Sequence, residues 1–355
     1  METGHAEVTV DIIIPARNEE DCLGRCLQSL AAQQGISFQI TVVDDGSTDR
    51  TRALAESFPG VRVLSAGELR PGMTGKVNAL VTGSAGSTAE WLLFTDADTF
   101  HYPGSLAASV REAESRKVDL LSYSPEQETA TWWELAVMPL VFADLVRTYS
   151  SERINDPADP SVAANGQYIL VRREVYEALG GHGALPLNIL EDVELAKIFK
   201  VSGNRIWFRH GAGLVRTRMY RTFRAMWEGW SKGLAILFRR PVLLAARRAL
   251  EFIAIAVLLT AGLVMMAQHH AGIGAALFAG GTFFYLTFLL RIRQAHFPWK
   301  ANLMAFIGLS IYVSLLLRSH LHFNRRGELT WKGRTYSQSA PKATVDSSIR
   351  KGDLR

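Results

Sequence analysis

The stretch Trp91-Leu92-Leu93-Phe94-Thr95-Asp96-Ala97-Asp98-Thr99 places two carboxylates directly after a short apolar run. An apolar run of this length, with polar residues on both sides, is typical of a buried strand in a mostly parallel sheet. Ligands of open α/β sheets bind beyond the carboxyl ends of the strands, which is where both aspartates would lie. Carboxylate oxygens suit Mg²⁺ or Mn²⁺, which in turn bind phosphate oxygens. The stretch therefore predicts a divalent cation site at the edge of a sheet.

Strands and helices alternate before this stretch. Apolar runs predict strands at Val8–Ile14, Phe38–Val43 and Val61–Leu64, and Pro15 is expected to end the first of them. The spacing of Leu23, Leu27 and Leu30 predicts a helix between the first two strands. A loop rich in glycine, Pro71–Lys76, opens a predicted helix over Val77–Thr82. This alternation predicts an α/β, Rossmann-like fold with a mostly parallel sheet wrapped by helices.

The pattern continues beyond the acidic pair. It predicts helices at Leu106–Arg116, Arg173–Leu179 and Val193–Val201, strands at Val118–Ser122 and Tyr168–Val171, and a polar loop at Ser151–Pro160. The segment Thr131–Val146 is rich in Trp, Leu, Val and Phe, but it is short for a membrane span and contains two acids. Two interpretations stay open for it, a helix at the membrane interface and a buried core helix.

Three polar segments fall at strand ends or helix starts. Asp44-Asp45-Gly46-Ser47-Thr48-Asp49 combines turn residues with acids that favour the start of a helix. Gly75-Lys76 lacks the rest of the Walker pattern, although a lysine at a helix start can reach a diphosphate. Glu191-Asp192 begins a helix, where two acids either complement the helix dipole or supply catalytic carboxylates.

Charge is divided unevenly along the chain. Residues 1–231 carry 22 basic and 30 acidic side chains, whereas residues 232–355 carry 17 basic and 4 acidic ones. Arg216–Lys232 alternates basic and aromatic residues, a pattern of nucleic-acid-binding segments and of helices that lie on phospholipid headgroups. The long apolar runs that follow favour an anionic membrane surface, so no nucleic-acid partner is expected.

Three apolar runs, Ala249–Ala267, Ala271–Leu290 and Ala301–Leu317, are each near the ~20 residues that cross a bilayer. Basic residues precede the first run and follow the second, which matches the positive-inside rule with the front of the chain in the cytosol. A third span would place Arg318, Arg325, Arg326, Lys332 and Arg334 outside, against that rule. The third run is therefore left open as a span with an exceptional tail, a re-entrant segment or a helix lying flat.

The amino terminus and the cysteines carry little functional signal. Met1–Glu7 is polar and acidic, and it predicts no signal peptide. Cys22 and Cys26 stand four apart on a predicted helix, which indicates packing residues in a reducing cytosol. Neither their number nor their spacing indicates a disulfide framework or a zinc site.

Five motifs occur in a fixed order: Pro15-Ala16-Arg17-Asn18-Glu19-Glu20, Asp44–Asp49, Gly75-Lys76, Asp96-Ala97-Asp98 and Glu191-Asp192. In order and spacing, residues 8–232 resemble the family 2 glycosyltransferases with the GT-A fold. The resemblance implies donor-binding roles for Pro15, Arg17, Glu19, Asp45, Lys76 and Asp96, among which Glu19 and Asp45 would contact the nucleotide base and ribose. It also implies that Asp98 binds a divalent cation, Mg²⁺ or Mn²⁺. Asp192 would be the general base, oriented by Glu191.

The processive polysaccharide synthases of this family carry a Gln-x-x-Arg-Trp motif, and Val215–Tyr220 has neither its Gln nor its Trp. This difference argues against polymer synthesis. Arg218-Met219-Tyr220, Trp227–Lys232 and Trp331–Tyr336 resemble the branch related to carotenoid- and hopanoid-associated glycosyltransferases. Acceptor-side residues are accordingly expected at Asn165, Gly166, Arg218, Trp227 and Trp230.

The resemblance and the residues together predict an enzyme. It would transfer a single sugar, in an inverting and metal-dependent reaction, from a nucleotide sugar (UDP-glucose first) to a hydroxyl of a membrane lipid. The alternatives are a polyprenyl-phosphate glycosyltransferase, a short-polymer synthase and a membrane-bound sugar-nucleotide sensor. We expect a catalytic domain over residues 1–231, a basic juxtamembrane segment over 232–248, a membrane domain over 249–320 and a basic tail over 321–355. The expected location is the inner (cytoplasmic) membrane, multi-pass, with the catalytic domain cytosolic.

Overall fold

The computed structural model describes residues 9–185, 190–326, 328–331 and 334–337. The helices are α1 (Leu23–Ala31), α2 (Thr51–Glu56), α3 (Gly75–Ser84), α4 (Ser105–Arg116), α5 (Trp132–Thr148), α6 (Ser151–Asn155), α7 (Arg173–Ala178), α8 (Glu191–Val201), α9 (Phe223–Leu237), α10 (Pro241–Ala267), α11 (Ala271–Arg293) and α12 (Trp299–Arg326). The strands are β1 (Val10–Ala16), β2 (Phe38–Asp44), β3 (Val61–Ser65), β4 (Trp91–Phe94), β5 (Thr99–His101), β6 (Leu120–Ser124), β7 (Glu126–Gln127), β8 (Ile169–Arg172), β9 (Ile206–His210), β10 (Val215–Thr217), β11 (Glu328–Trp331) and β12 (Arg334–Ser337).

The main sheet has seven strands in the order β3-β2-β1-β4-β8-β6-β9. β1 is parallel to β2 and β4, β2 to β3, and β6 to β9, whereas β8 is antiparallel to both β4 and β6. Every residue of β4 is buried, because the sheet is covered on both faces. The predicted α/β fold with a mostly parallel sheet is confirmed.

A smaller sheet of three short strands, in the order β5-β10-β7, was not predicted. β10 pairs antiparallel with β5, which directly follows Asp98, and parallel with β7. Strands of two or three residues carry no periodicity of their own. Pairing partners lie 90 residues apart for β7 and β10 and more than a hundred apart for β5 and β10, so tertiary structure alone creates these strands.

Pro15 does not end the first strand, which runs to Ala16 and begins, among the described residues, at Val10 rather than Val8. Pro15 pairs in register with Val43 of β2, while the pairing of β1 with β4 stops two residues earlier, at Ile13 and Phe94. A proline is tolerated where a strand has a partner on one side only.

Val8 lies outside the described residues, and so do residues 187–189 of the segment that leads to Glu191.

The predicted loop Ser151–Pro160 begins with a short helix, α6, so the prediction was wrong for its first half. Ile154 is buried there. The Asn155 side chain accepts a hydrogen bond from the Phe208 N–H (2.7 Å) and donates one to the Phe208 carbonyl (3.0 Å). These contacts to β9 hold a turn of helix whose local sequence is polar.

The segment Thr131–Val146 forms α5, a core helix with one exposed tryptophan. Trp133 is buried, whereas Trp132 is exposed over 56% of its surface. The side chain of Glu134 accepts from the Thr131 N–H (2.7 Å) and completes a capping box at the start of the helix. A Cβ added at Gly308 of α12 would overlap the Ala136 carbonyl, so α5 and α12 pack backbone to backbone.

Three described helices are long and apolar enough to cross a membrane: Pro241–Ala267, Ala271–Arg293 and Trp299–His322. They share one apolar core with α5 and α9. The predicted boundary at residues 231 and 232 falls inside α9, and α10 begins within the predicted juxtamembrane segment. Most of the predicted tail over 321–355 lies outside the described residues.

Candidate active site

The predicted donor-binding residues meet where β1, β2 and β4 end. The Asp45 N–H donates to the Ala16 carbonyl (2.9 Å), and the Thr95 N–H donates to the Ile13 carbonyl (3.2 Å). Because these parallel strands end at one edge of the sheet, the segments that follow them face the same crevice. Residues 15–19, 44–49 and 95–99 therefore line one site.

Arg17 and Asp45 form the part of this edge expected to hold the nucleoside. The Arg17 guanidinium donates to the Asp45 carbonyl (2.8 Å) and lies 3.5 Å from its carboxylate. The Glu19 N–H donates to the Thr51 hydroxyl (2.7 Å), which ties the first loop to the start of α2. The Cys22 thiol donates to a Glu19 carboxylate oxygen at 3.1 Å.

Lys76 lies between two carboxylates that are far apart in the sequence. Its Nζ is 2.8 Å from Asp96 Oδ1 and 2.9 Å from Glu191 Oε1. The Thr74 side chain caps the helix that carries Lys76 by accepting from the Val77 N–H (3.2 Å). Burial alone would lower the pKa of the Lys76 ammonium, but Asp96 and Glu191 raise that pKa well above its ordinary value. Lys76 is therefore a fixed positive charge.

Asp192 is held by backbone donors at the start of α8. The Gly166 N–H donates to Asp192 Oδ2 (2.9 Å), and the Val193 N–H donates to Oδ1 (2.8 Å). Desolvation, followed by the neighbouring Glu191 carboxylate, raises the pKa of Asp192 to about 7, against the opposing effect of Lys76. A carboxylate with a pKa close to neutrality is suited to general base catalysis.

Gly166 lies at the centre of this group. A Cβ at its position would lie 2.9 Å from Lys76 Nζ, 3.5 Å from Glu191 Oε1 and 3.6 Å from Asp192 Oδ2. A Cβ at this position would crowd the Lys76 ammonium and would be in van der Waals contact with the two acids. The sequence placed Gly166 on the acceptor side without indicating this contact.

Asp98 lines a cavity of about 450 Å³. The cavity is lined by Cys22, Arg25, Asp98, Thr99, Phe100, Glu128, Thr129, Ala130, Arg216, Thr217, Arg218 and Arg221. Arg25 and Arg216 are each within 2.9 Å of the Glu128 carboxylate, and Arg218 Nε lies 2.8 Å from Glu134 Oε1. Four of the lining side chains are arginines and only two, Asp98 and Glu128, are carboxylates, so the cavity has a basic wall.

Arg221 is a cavity residue that sequence reasoning had not singled out. It is exposed, and no salt bridge joins it to another residue in the described part of the chain. It stands directly before Thr222, which caps α9 by accepting from the Ala225 N–H (3.1 Å). The alternation of basic and aromatic residues over Arg216–Lys232 included it, but only the fold shows which of these arginines reaches the cavity.

A buried hydrogen-bond chain behind the site was also missed. The Thr95 hydroxyl donates to the Gln167 carbonyl (2.8 Å), and the Gln167 side-chain amide donates to the Thr217 hydroxyl (3.2 Å). The Thr217 hydroxyl donates in turn to the Asp98 carbonyl (3.2 Å). The chain connects the backbone next to Gly166 with the backbone of Asp98, so it holds the two halves of the site in register.

The other predicted acceptor-side residues are divided between the site and the core. The Asn165 side chain accepts from the Gln167 N–H (2.9 Å), so it shapes the loop around Gly166. Arg218 reaches the cavity wall. Trp227 packs against Phe223 with ring centroids 5.9 Å apart. Trp230 is buried in the core between α5, α9 and the apolar helices and does not line the cavity.

The residues around Asp98 fit a divalent cation that is bound partly by protein carboxylates and partly by the substrate. Asp96 and Asp98 are both half-buried and offer hard oxygen atoms. Within the described residues, no group of three or more His, Cys, Asp or Glu side chains converges as a complete metal site. Mg²⁺ is commonly held by one or two carboxylates together with the phosphates of its substrate, which matches this incomplete set.

Comparisons with known proteins identify the domain. Residues 11–180 match the family model described as Glycosyl transferase family 2. The chain is 27% identical over 339 residues to the 4,4'-diaponeurosporenoate glycosyltransferase of Staphylococcus aureus (strain MRSA252), covering 92% of this chain and 88% of that protein. The same named enzyme from strain bovine RF122 / ET3-1 is 27% identical over 342 residues, covering 93% and 89%.

A solved structure shares the fold. It is a mannosyltransferase from Pyrobaculum calidifontis in complex with GDP-Man and Mn²⁺, with a TM-score of 0.52 and 18% identity over 91% of this chain and 89% of that one. Residues 11–180 are thus a family 2 glycosyltransferase domain with the GT-A fold, and the protein is a glycosyltransferase.

Proposed function

We propose that the protein transfers one sugar from a nucleotide sugar to a hydroxyl of a membrane lipid, with inversion at the anomeric carbon. UDP-glucose is the first donor to test. The observation that carries this proposal is the position of Asp192, whose pKa is near 7 and which lies beside Gly166 together with Lys76 and Glu191, while Asp98 lines a basic cavity. One side is equipped for a nucleophile and the other for a leaving diphosphate.

The donor would lie along the edge formed by β1, β2 and β4. Glu19 and Asp45 would contact the base and ribose, with Pro15 and Arg17 shaping that part of the edge. Asp98, with Asp96 beside it, would hold Mg²⁺ or Mn²⁺, which supplies electrostatic stabilisation of the leaving diphosphate. Arg221, an exposed guanidinium on the same cavity, would add a charge-assisted hydrogen bond to the diphosphate oxygens.

Asp192 would act on the acceptor. Its carboxylate accepts the proton of the acceptor hydroxyl while that oxygen forms a bond to the anomeric carbon and the bond from carbon to diphosphate breaks. Attack from the face opposite the leaving group inverts the configuration. Hydrogen bonds from the Gly166 and Val193 N–H groups orient the Asp192 carboxylate, and the ion pair with Lys76 holds Glu191 next to it.

The curated relatives support an isoprenoid lipid acceptor, since their name specifies action on diaponeurosporenoate. That name also favours a second candidate reaction. An "-oate" acceptor is a carboxylate, which is already ionised at neutral pH and needs no general base. The basic cavity is compatible with such an anion. Dependence on Asp192 separates the two candidates, because only the hydroxyl acceptor must lose a proton.

The proposed location is the inner (cytoplasmic) membrane, with the catalytic domain cytosolic and the chain crossing the bilayer more than once. Helices long and apolar enough to cross it, together with the basic residues at their ends, support this placement. A lipid acceptor in the same membrane requires no diffusion through water.

The test is transfer by the full-length protein in vesicles that contain a lipid extract, with UDP-glucose and other nucleotide sugars as donors. We expect a lipid that gains the mass of one hexose, and NMR of the product should show inverted anomeric configuration. Formation of a polymer, retained configuration or transfer without a nucleotide sugar would each refute the proposal.

A further inference from the structure

A buried cluster of charged side chains connects α5 of the catalytic domain to one residue on each of the three apolar helices. Asp144 of α5 accepts hydrogen bonds from Arg248 Nε of α10 (3.0 Å), Arg291 Nη1 of α11 (3.3 Å) and the Tyr312 hydroxyl of α12 (3.1 Å). Glu251 of α10 adds contacts to Arg248 (3.0 Å) and Arg291 (2.8 Å). These side chains place Arg248, Arg291 and Tyr312 side by side.

The cluster marks one end of a helical hairpin. From Arg248 to the end of α10 at Ala267 the helix rises about 28 Å, and from the start of α11 at Ala271 to Arg291 it rises about 30 Å. Either length matches the ~30 Å thickness of a bilayer core. The turn between α10 and α11 then lies on the far side of that core from the cluster.

Tyr312 lies near the middle of α12, not at an end of it. The carboxyl-terminal half of α12 packs on the catalytic domain, since the Ala235 N–H of α9 donates to the Ser319 hydroxyl (2.8 Å) and Arg318 lies over the Trp227 ring. In the other half, the Phe306 ring contacts Phe252 at 5.1 Å. Phe252 is only one turn from Arg248. The middle of α12 thus passes across the end of the hairpin.

One face of α12 is exposed from Leu303 to Leu321. Its members follow helical spacing and are mostly apolar: Leu303, Ile307, Ser310, Ser314, Leu317 and Leu321. The opposite face is covered by protein, and 39% of the apolar window of α12 is buried, against 11% for α10 and 17% for α11. α12 therefore has a single lipid-facing stripe, while the hairpin is largely uncovered.

We propose that α12 lies along the cytosolic surface of the membrane with this stripe toward lipid, and that, within the described residues, only α10 and α11 cross. This inference rests on the membrane attachment proposed above. It places residues 318, 325 and 326, all arginines, on the same side of the membrane as Arg291 and Arg293, where basic residues are favoured. The tail that would violate the positive-inside rule in a three-span arrangement obeys it here.

Spin labels measure this directly. Single cysteines are introduced into a Cys22→Ser, Cys26→Ala background whose fold is checked by circular dichroism, and the depth of each label in anionic vesicles is read from its accessibility to oxygen and to a water-soluble relaxant. The α12 positions are Leu303→Cys, Ile307→Cys, Leu317→Cys and Leu321→Cys. The matched controls on α10 are Ile253→Cys, Val257→Cys and Val264→Cys, which are as exposed in the structure.

We expect the four α12 labels to lie at one shallow depth, and the Val257 label, near the middle of α10, to lie deeper than the labels at Ile253 and Val264. Labels at Ile307 and Leu317 that lie clearly deeper than those at Leu303 and Leu321 would show that α12 spans and would overturn the proposal. If the α10 labels also stay in water, the membrane attachment itself fails, which is a separate result.

Sidedness gives an independent readout. In the same background, Gln268→Cys in the hairpin turn should react with an impermeant thiol reagent added outside intact cells. Ser337→Cys in the terminal β-hairpin should react only in inverted vesicles. Labelling of both positions from outside would place the tail across the membrane and refute the arrangement.

Discussion

The Lys76 ammonium lies 2.9 Å from a Glu191 carboxylate oxygen, which joins a residue of the donor side to a residue of the acceptor side in one ion pair. The same ammonium is 2.8 Å from Asp96, next to the proposed metal ligand Asp98. The charge that organises the donor end therefore also acts on Asp192, the residue after Glu191. This coupling makes the pH dependence of the reaction a test of the site.

Asp192→Asn should reduce transfer to a hydroxyl acceptor by about 10²–10⁴-fold, because the amide cannot take the acceptor proton. Nucleotide binding, measured by calorimetry, should stay close to the wild-type value. Glu194→Gln is the matched control on the same helix, where Glu194 pairs with Lys197 at 3.4 Å. A variant Asp192→Asn with a third or more of wild-type turnover would support the carboxylate acceptor, which needs no base.

Lys76→Gln and Glu191→Gln should move the acidic limb of the rate profile in opposite directions. Lys76 lowers the pKa of Asp192 and Glu191 raises it. Without Lys76, Asp192 ionises at higher pH, so the limb moves up, and without Glu191 it moves down. The measurement is kcat/KM against pH for each variant. Shifts in the same direction, or none, would exclude Asp192 as the titrating group.

Gly166→Ala should lower transfer by at least about 10-fold while the protein stays folded, since its methyl group would lie 2.9 Å from Lys76 Nζ and move the ammonium from its place beside Asp96 and Glu191. Gly183→Ala is the control, because a Cβ there meets no atom within 4 Å. Turnover and Tm are measured for both. Equal activity of the two variants would show that the contacts around Gly166 are unimportant.

Asp98→Ala should remove most transfer, by roughly 10²–10³-fold, and treatment of the wild-type protein with EDTA should do the same until Mg²⁺ or Mn²⁺ is returned. The residue is half-buried, so the change should affect stability little. Transfer that persists in EDTA together with an active Asp98→Ala protein would contradict the metal assignment.

Arg221→Gln should raise the KM for the nucleotide sugar about 10-fold, the value expected for one charge-assisted hydrogen bond. Arg224→Gln is the matched control one turn away, where Arg224 pairs with Glu228 at 2.9 Å and does not line the cavity. A rise in the acceptor KM alone would instead assign Arg221 to an anionic acceptor.

The sequence by itself determined the elements whose residues are contiguous. Local periodicity and turn chemistry predict the buried strand before Asp96, the sheet it belongs to, the apolar helices, the loops that carry Arg17 and Asp45, and the helix start at Lys76. The motifs that begin at Pro15 and end at Asp192 were also sufficient to indicate the family, which is confirmed over residues 11–180.

Only the tertiary structure decided which charged and polar side chains from distant parts of the chain come into contact. The contact of Lys76 with Glu191, the hydrogen-bond chain from Gln167 to Asp98 and the turn of Arg221 into the cavity each join segments that no local pattern relates. Such contacts depend on the packing of strands and helices, and a short stretch of sequence does not show which distant segment it will meet. The placement of α12 has the same origin. Its composition suits a membrane span, but the hydroxyl of Tyr312, near its middle, donates a hydrogen bond to Asp144 of the catalytic domain. That contact exists only once the helices have packed.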